Sequence, residues 1–404
     1  MSVSPSSRLE FGSPAYRRTA LAMFFGGFAT FAMLYGPQPL MPMLSRVFGL
    51  SAAAASTVLS GATGSMALML LPASLLADRI GRKPVMNTAL FLSAGLTLLA
   101  ALAPGFAALV AVRVLFGIVL SGIPAVGMAY LSEEVAPGAL GKAMGLYIAG
   151  NALGGMSGRF LGALAADALG WRAAMLLLGL VGLAAAFTFW KSLPPSRHFQ
   201  PARADWRAIG RAAGRHFSDA GLPFLFACAF LLMGAFVSLY NYLGYRLESA
   251  PFSLRPGLVG LMFSLYLLGM FSSAWAGGLS DRFGRRNVLW LMIVLMGSGL
   301  ALTLADTLWL IAPGVGLFTF GFFAAHSVAS SWVGLRARDA RALASAWYLA
   351  AYYLGSSLVG SVSGFAWGHG AWPGVALLLA GLLAVCLAIS LKLRGLPPLS
   401  QPSG

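Results

Sequence analysis

Long apolar runs alternate with short polar loops along the chain. Twelve runs can be marked, at about 19–41, 53–76, 84–103, 105–130, 143–166, 171–190, 221–245, 257–280, 287–305, 308–332, 343–366 and 372–392. Each is close to the roughly 20 residues that cross a bilayer as a helix. They are too long and unbroken for barrel strands, which alternate over about ten residues. The first run exceeds a signal-peptide core and contains Gly36, Pro37, Gln38 and Pro39, so it reads as a retained span. Between the sixth and seventh runs lies a basic, proline-containing linker. The expected division is 1–190 as an N-terminal six-helix bundle, 191–219 as linker and 220–404 as a C-terminal six-helix bundle. In the linker, Arg197, Arg203, Arg207, Arg211 and Arg215 recur, the last three at helical spacing. That spacing predicts a short amphipathic helix on the membrane surface, its arginines facing anionic headgroups.

Two polar loops echo each other. SLLADRIGRKP, from Ser74 to Pro84, returns as GGLSDRFGRRN, from Gly277 to Asn287. Asp78 and Asp281 are 203 positions apart, half of a 404-residue chain. Tyr147-Ile-Ala-Gly150 is matched by Tyr352-Tyr-Leu-Gly355, and Trp171 by Trp372. The chain therefore reads as a duplicated six-span unit, a parallel repeat about an axis along the membrane normal. The predicted fold class is an all-α membrane protein. It has twelve transmembrane helices in two six-helix bundles related by a pseudo-two-fold axis.

Composition agrees. Hydrophobic residues make up 59% and charged residues 9% of the chain. Mean hydropathy is +0.81. A soluble domain carries about 25% charged residues. The net charge of +16 would suggest nucleic acid in a soluble protein. Here it tracks topology instead. With the N-terminus inside, 21 basic residues fall in cytoplasmic segments and 4 in outer ones. Both termini are thus expected in the cytoplasm. Cys228 and Cys386 lie within apolar runs and suggest neither a disulfide nor a metal site.

At the first repeated loop the chain resembles the major facilitator superfamily, whose cytoplasmic motif Gly-x-Leu-Ala-Asp-Arg-x-Gly-Arg-Lys is matched except at Ser74. The second copy starts with the expected Gly277. The resemblance spans essentially the whole chain and is strongest to the twelve-span drug/proton antiporter-like branch. SEEVAPG, MGLYIAGNALGGMSGR and FFAAHSVASSWVG resemble bacterial inner-membrane transport proteins in particular. It implies a gating latch in the repeated loops: Asp78, Arg79, Gly81 and Arg82, with Gly277, Asp281, Arg282, Gly284 and Arg285 in the second copy. It also ties Arg113, in the segment RVLFG, to proton coupling. The antiporter signature of span five contains a Gly-Pro pair, whereas this chain has Gly154-Gly155.

Ionisable groups inside a membrane are functional candidates. All eleven acidic residues fall at or beyond the span ends, which leaves Arg113, Arg159 and His326 within spans. Arg113 would act on coupling or hold backbone carbonyls. Arg159 would act in the site or snorkel to headgroups. His326 has the only intramembrane side chain with an unperturbed pKa near neutral. Candidate pocket residues are Tyr35, Gln38, Tyr147, Asn151, Asn241, Tyr245, Tyr266 and Tyr352. The tyrosines could equally belong to interfacial belts, whereas a buried amide needs a partner. Many aromatics and few fixed charges suit a neutral or amphipathic organic substrate. Gly150, Gly154, Gly158 and Gly162 form a four-residue repeat suited to close helix contact.

The leading reading is a secondary active transporter exporting small organic molecules by proton antiport with alternating access. The alternative is a symporter or uniporter importing a small metabolite. An enzyme is not expected: His198, His216 and His369 lie outside the spans and no acid lies within them. No phosphate-binding loop for ATP occurs. No cofactor, metal or nucleic-acid partner is expected. The expected partners are the lipid bilayer, the substrate and protons, for a monomer in the bacterial inner membrane.

Overall fold

The computed structural model describes residues 8–201 and 206–396 and is built almost wholly of helices. Arg203 and Asp205 of the linker lie outside the described residues. Span one is α1 (Pro14–Tyr35) continued through a short turn into α2 (Met41–Phe48). Then come α3 (Ala52–Ile80), α4 (Arg82–Ala101), α5 (Phe106–Leu120), α6 (Gly127–Glu134), α7 (Pro137–Leu169) and α8 (Trp171–Ser192). The linker contributes α9 (Trp206–Ser218). The second half has α10 (Leu222–Glu248), α11 (Pro256–Gly260), α12 (Tyr266–Phe283), α13 (Arg285–Leu302), α14 (Leu308–Arg336) and α15 (Arg341–Arg394). Non-helical backbone at Gly370 and Ala371 divides α15 into spans eleven and twelve.

Among the described residues, nine helical stretches are long and apolar enough to cross a membrane. Twelve spans are present because α15 holds two, the fourth is broken and α7 is rich in glycine. The break in span four follows Leu120, at Ser121-Gly122-Ile123-Pro124. Pro124 has no N–H to give to the helix ladder. Span five starts at Pro137, earlier than the hydropathy pattern predicts, because proline suits a first helical turn. In the repeated loops Gly81 has φ 104° and Gly284 has φ 81°. A side chain would be strained at either turn.

The chain forms two compact units. Unit 1 comprises Met1–Leu50, Thr57–Ala204 and Arg255–Phe263; unit 2 comprises Ser51–Ser56, Asp205–Leu254 and Ser264–Gly404. Residues 191–204 of the linker segment group with unit 1 and residues 205–219 with unit 2. In unit 1, α7 packs on α1 along its glycine stripe. In unit 2, α10 and α15 make the corresponding seam, with Gly355 against the backbone of Phe230.

Each half of the linker is fastened to its own unit. On unit 1, Lys83 donates to the carbonyl of Leu193 at 2.5 Å and the Tyr130 hydroxyl to that of Pro194 at 3.1 Å. Glu134, only 2% exposed, accepts the backbone N–H groups of Arg197 and His198 at 2.7 and 2.9 Å. On unit 2, Arg215 pairs with Asp339, and His216 Nε2 lies 3.1 Å from the Asp339 carbonyl. Arg215 stays exposed, with its charge paired to Asp339.

Asp219 fixes the start of α10. Its Oδ1 accepts the N–H groups of Gly221 and Leu222, each at 2.8 Å, and Arg336 Nε at 2.5 Å. Burial alone would raise this carboxyl. Arg336 and the two N–H groups outweigh burial and hold it below the usual carboxylate range. A depressed folded-state pKa stabilises the fold above the unfolded value and loses that contribution as pH falls through the folded value. Asp219→Asn is expected to cost about 1–3 kcal/mol near neutral pH. Thermal unfolding of the two purified proteins should show this gap, narrowing below about pH 4.

Candidate functional site

Unit 1 brings three predicted residues together. Arg159 of α7 is 2% exposed. Its Nε donates to Gln38 Oε1 and its Nη1 donates to the Gly155 carbonyl at 2.8 Å. The guanidinium also lies 4.4 Å from the Tyr35 ring centroid and 5.5 Å from that of Phe263. Snorkelling to headgroups is thus not what Arg159 does. Phe263 carried no signal in the sequence, since it is one apolar residue in an apolar run. Tyr147 and Asn151 sit one turn apart on α7, with Asn151 packed where Gly27 of α1 lacks a side chain. Any Cβ at Gly27 would lie 2.3 Å from Asn151 Oδ1.

Arg113 is fully buried and bonded to backbone. Nε donates to Val58 O at 3.1 Å, Nη1 to Met33 O at 3.1 Å and Nη2 to Leu34 O at 2.7 Å. Its guanidinium carbon Cζ lies 4.2 Å from the Phe116 ring centroid. One guanidinium therefore ties α5 to α3 and α1. These bonds match the structural alternative for Arg113, in which carbonyls take its donors.

Unit 2 places His326 in an aromatic cluster. Its Nδ1 lies 2.9 Å from the Tyr348 hydroxyl, which also reaches the His326 carbonyl at 3.3 Å. The Tyr352 ring is 4.7 Å away and that of Phe322 is 6.0 Å away. Phe322 stacks on Phe236 at 3.7 Å, and Phe236 packs on Tyr266 at 5.4 Å. Tyr266 and Tyr352 thus join His326 through shared rings. Tyr348 and Phe236 were missed, although Tyr348–Tyr352 and Phe322–His326 each have the four-residue spacing that puts side chains on one helix face. Tyr245 instead meets Tyr242 and Trp367, at 6.0 and 5.7 Å. Asn241 is buried beside Gly360.

The two repeated loops differ in their surroundings. In the first, Arg82 bonds Asp78 at 2.5 Å and Glu133 at 2.8 Å. Burial opposes the charge on Arg82, and its hydrogen bonds to the carboxylates of Glu133 and Asp78 offset that cost. In the second, Arg285 meets Asp281 at 3.3 Å and Ser331 Oγ at 3.1 Å, and Asp281 is largely exposed. Arg79 is exposed, Arg282 lies against the Phe283 ring, and Gly277 has open space around it. The sequence echo therefore covers the turn, while among the described residues Arg285 pairs with Asp281 and a serine where Arg82 pairs with two carboxylates.

These features, helical units with polar groups buried among long apolar helices, are those of a multi-pass membrane protein. Residues 23–254 and 247–403 match the Major Facilitator Superfamily, and the chain belongs to that family. It is 46% identical over 390 residues to the inner membrane transport protein YnfM of Escherichia coli (strain K12), covering 96% of this chain and 94% of that protein. It is 41% identical over 379 residues to the uncharacterized MFS-type transporter YybF of Bacillus subtilis (strain 168), covering 94% of each. In fold it is similar to a nucleoside transporter, NupG, with a TM-score of 0.76, 17% identity and coverage of 92% of this chain and 98% of that one. A bacterial homolog of the human lysosomal transporter Spinster gives a TM-score of 0.75 at 15% identity, covering 95% and 96%.

Arg113 separates two roles by experiment. Arg113→Ala leaves three buried carbonyls without their donor and should lower stability by about 2–4 kcal/mol. Arg113→Lys keeps the charge but not the planar fork and should recover only part of that loss. Thermal unfolding of the purified variants measures both.

Proposed function

We propose that the chain is a secondary active transporter that exports small organic molecules across the bacterial inner membrane in exchange for protons. It would act as a monomer by alternating access, with both termini in the cytoplasm. The observation that carries this reading is the His326–Tyr348 pair set among aromatic rings. Tyr348 is within reach of both the ring nitrogen and the carbonyl of the same histidine. Its hydroxyl can donate to neutral Nδ1, or turn to the carbonyl and accept from protonated Nδ1. A proton could therefore arrive or leave with a single hydroxyl rotation. The rings of Phe236, Tyr266, Phe322 and Tyr352 pack on one another as a largely buried, weakly polar cluster, a lining that would suit aromatic or amphipathic cargo in a state where it opens.

A fungal relative supports the antiport reading. The MFS antiporter QDR3 of Candida albicans (strain SC5314 / ATCC MYA-2876) is 30% identical over 164 residues, 40% of this chain and 24% of that protein. The bonded, inward-facing position of Arg159 favours a part in cargo orientation, alongside Gln38 and Tyr35. The Asp78–Arg82–Glu133 network suits a latch that favours one conformational state. Import by symport or uniport is the competing reading.

Everted membrane vesicles with an imposed pH gradient, screened with a panel of fluorescent aromatic compounds, test the proposal. Gradient-dependent accumulation is expected, and His326→Gln should reduce it about tenfold or more while cargo binding changes little. Flux that ignores the proton gradient in the unaltered protein would contradict antiport. Unchanged pH dependence in His326→Gln would contradict the role of His326.

A further inference from the structure

We propose that α9 and the loop preceding α15 form a docking surface for anionic phospholipid headgroups. The surface belongs to unit 2 and is separate from the aromatic cluster. α9 ends at Ser218, just before span seven begins at Leu222, so it is held where that span meets the membrane boundary. Ala212 and His216 are its buried residues. Phe217 packs edge-on against Phe226 and Trp347, at 5.7 and 5.6 Å.

The rest of the helix perimeter divides into two sectors. Trp206 is 62% exposed and Phe217 55%. At about 100° per residue they project roughly 20° apart. Arg207 and Arg211 are also exposed and project roughly 40° apart, about a third of a turn from the aromatics. An aromatic edge beside a cationic edge is the pattern of a helix lying in the headgroup region. Arg338 of the adjoining loop and Arg341 at the start of α15 are exposed beside it, Arg341 Nε donating to the Ala337 carbonyl at 3.2 Å. Asp339, the acid between them, is already held by Arg215. Arg207, Arg211, Arg338 and Arg341 are all exposed, and among the described residues Asp339 beside them is paired with Arg215.

Phosphate is the complementary group, since the guanidinium fork accepts it in a bidentate way. A soluble acidic partner would satisfy the arginines but leave the aromatic edge in water. A bilayer rich in anionic lipid satisfies both at once.

The test uses the full chain in nanodiscs of phosphatidylcholine containing brominated phosphatidylglycerol or, at equal fraction, brominated phosphatidylcholine. The Trp206 signal is the difference between the unaltered protein and Trp206→Phe. Brominated phosphatidylglycerol should quench that signal at a lower fraction than brominated phosphatidylcholine. Arg207→Gln with Arg211→Gln should raise the fraction needed for half-quenching by roughly tenfold, and added salt should act the same way. Both arginines are exposed, so an unchanged melting temperature is expected and shows that the fold is retained. Equal quenching by the two lipids would overturn the proposal, as would a phosphatidylglycerol preference that survives the double substitution. No quenching by either lipid would turn the face away from the bilayer, favour a protein partner and overturn it too.

Discussion

The approach of α7 to α1 is the contact on which unit 1 depends. Lipid tails are as apolar as leucine, so helices in a bilayer associate through dispersion and internal hydrogen bonds rather than through exclusion of water. Dispersion needs contact, and contact needs the absence of side chains. A Cβ at Gly150 would lie 2.2 Å from Phe24 O, and one at Gly154 would lie 2.1 Å from Phe28 O. At Gly158 it would lie 2.5 Å from Ala32 Cα, and at Gly162 2.5 Å from Gly36 O. The four residues form a continuous groove in which the α1 backbone rests. This seam also carries Arg159 to Gln38, which lies just beyond the end of α1. Unit 2 repeats the device at Gly355, 2.1 Å from Phe230 O on the same construction.

Within that framework each cation finds a different kind of partner. Arg113 takes backbone carbonyls, Arg159 an amide and rings, and Arg82 two carboxylates. Arg246 at the end of α10 donates to the carbonyls of Thr303 and Ala305, with Asp306 at 3.5 Å. The gradation follows depth. Carboxylates are used where water is near, and carbonyl and amide dipoles are used where a second charge would have to be desolvated.

Fold class and span number were legible in the sequence because a spanning helix leaves a long apolar run, and the duplication because the turns need glycine and charge at fixed offsets. Gly81 and Gly284 carry both signals. The break within span four was not legible, since hydropathy averages over the local turn at 121–124. Of the site, Arg159, Gln38 and Tyr35 were legible as polar residues that a membrane does not tolerate without partners. Tyr348 and Phe263 were not, because one is an ordinary aromatic and the other an ordinary apolar residue until helices bring them beside His326 and Arg159. The linker was legible as basic and amphipathic. Its anchors were not, because Asp339 and Glu134 are distant in sequence from Arg215 and His198.

The central claim is that the α7–α1 seam positions the polar site of unit 1. Thermal unfolding of purified Gly154→Leu against Gly145→Leu tests it within one helix. Gly145 has open space where its Cβ would be, whereas Gly154 lies on the backbone of Phe28. A large fall in melting temperature, or failure to accumulate folded protein, is expected for Gly154→Leu. An unchanged or slightly higher melting temperature is expected for Gly145→Leu, since leucine is the better helix former. Equal melting temperatures for the two variants would contradict the central claim.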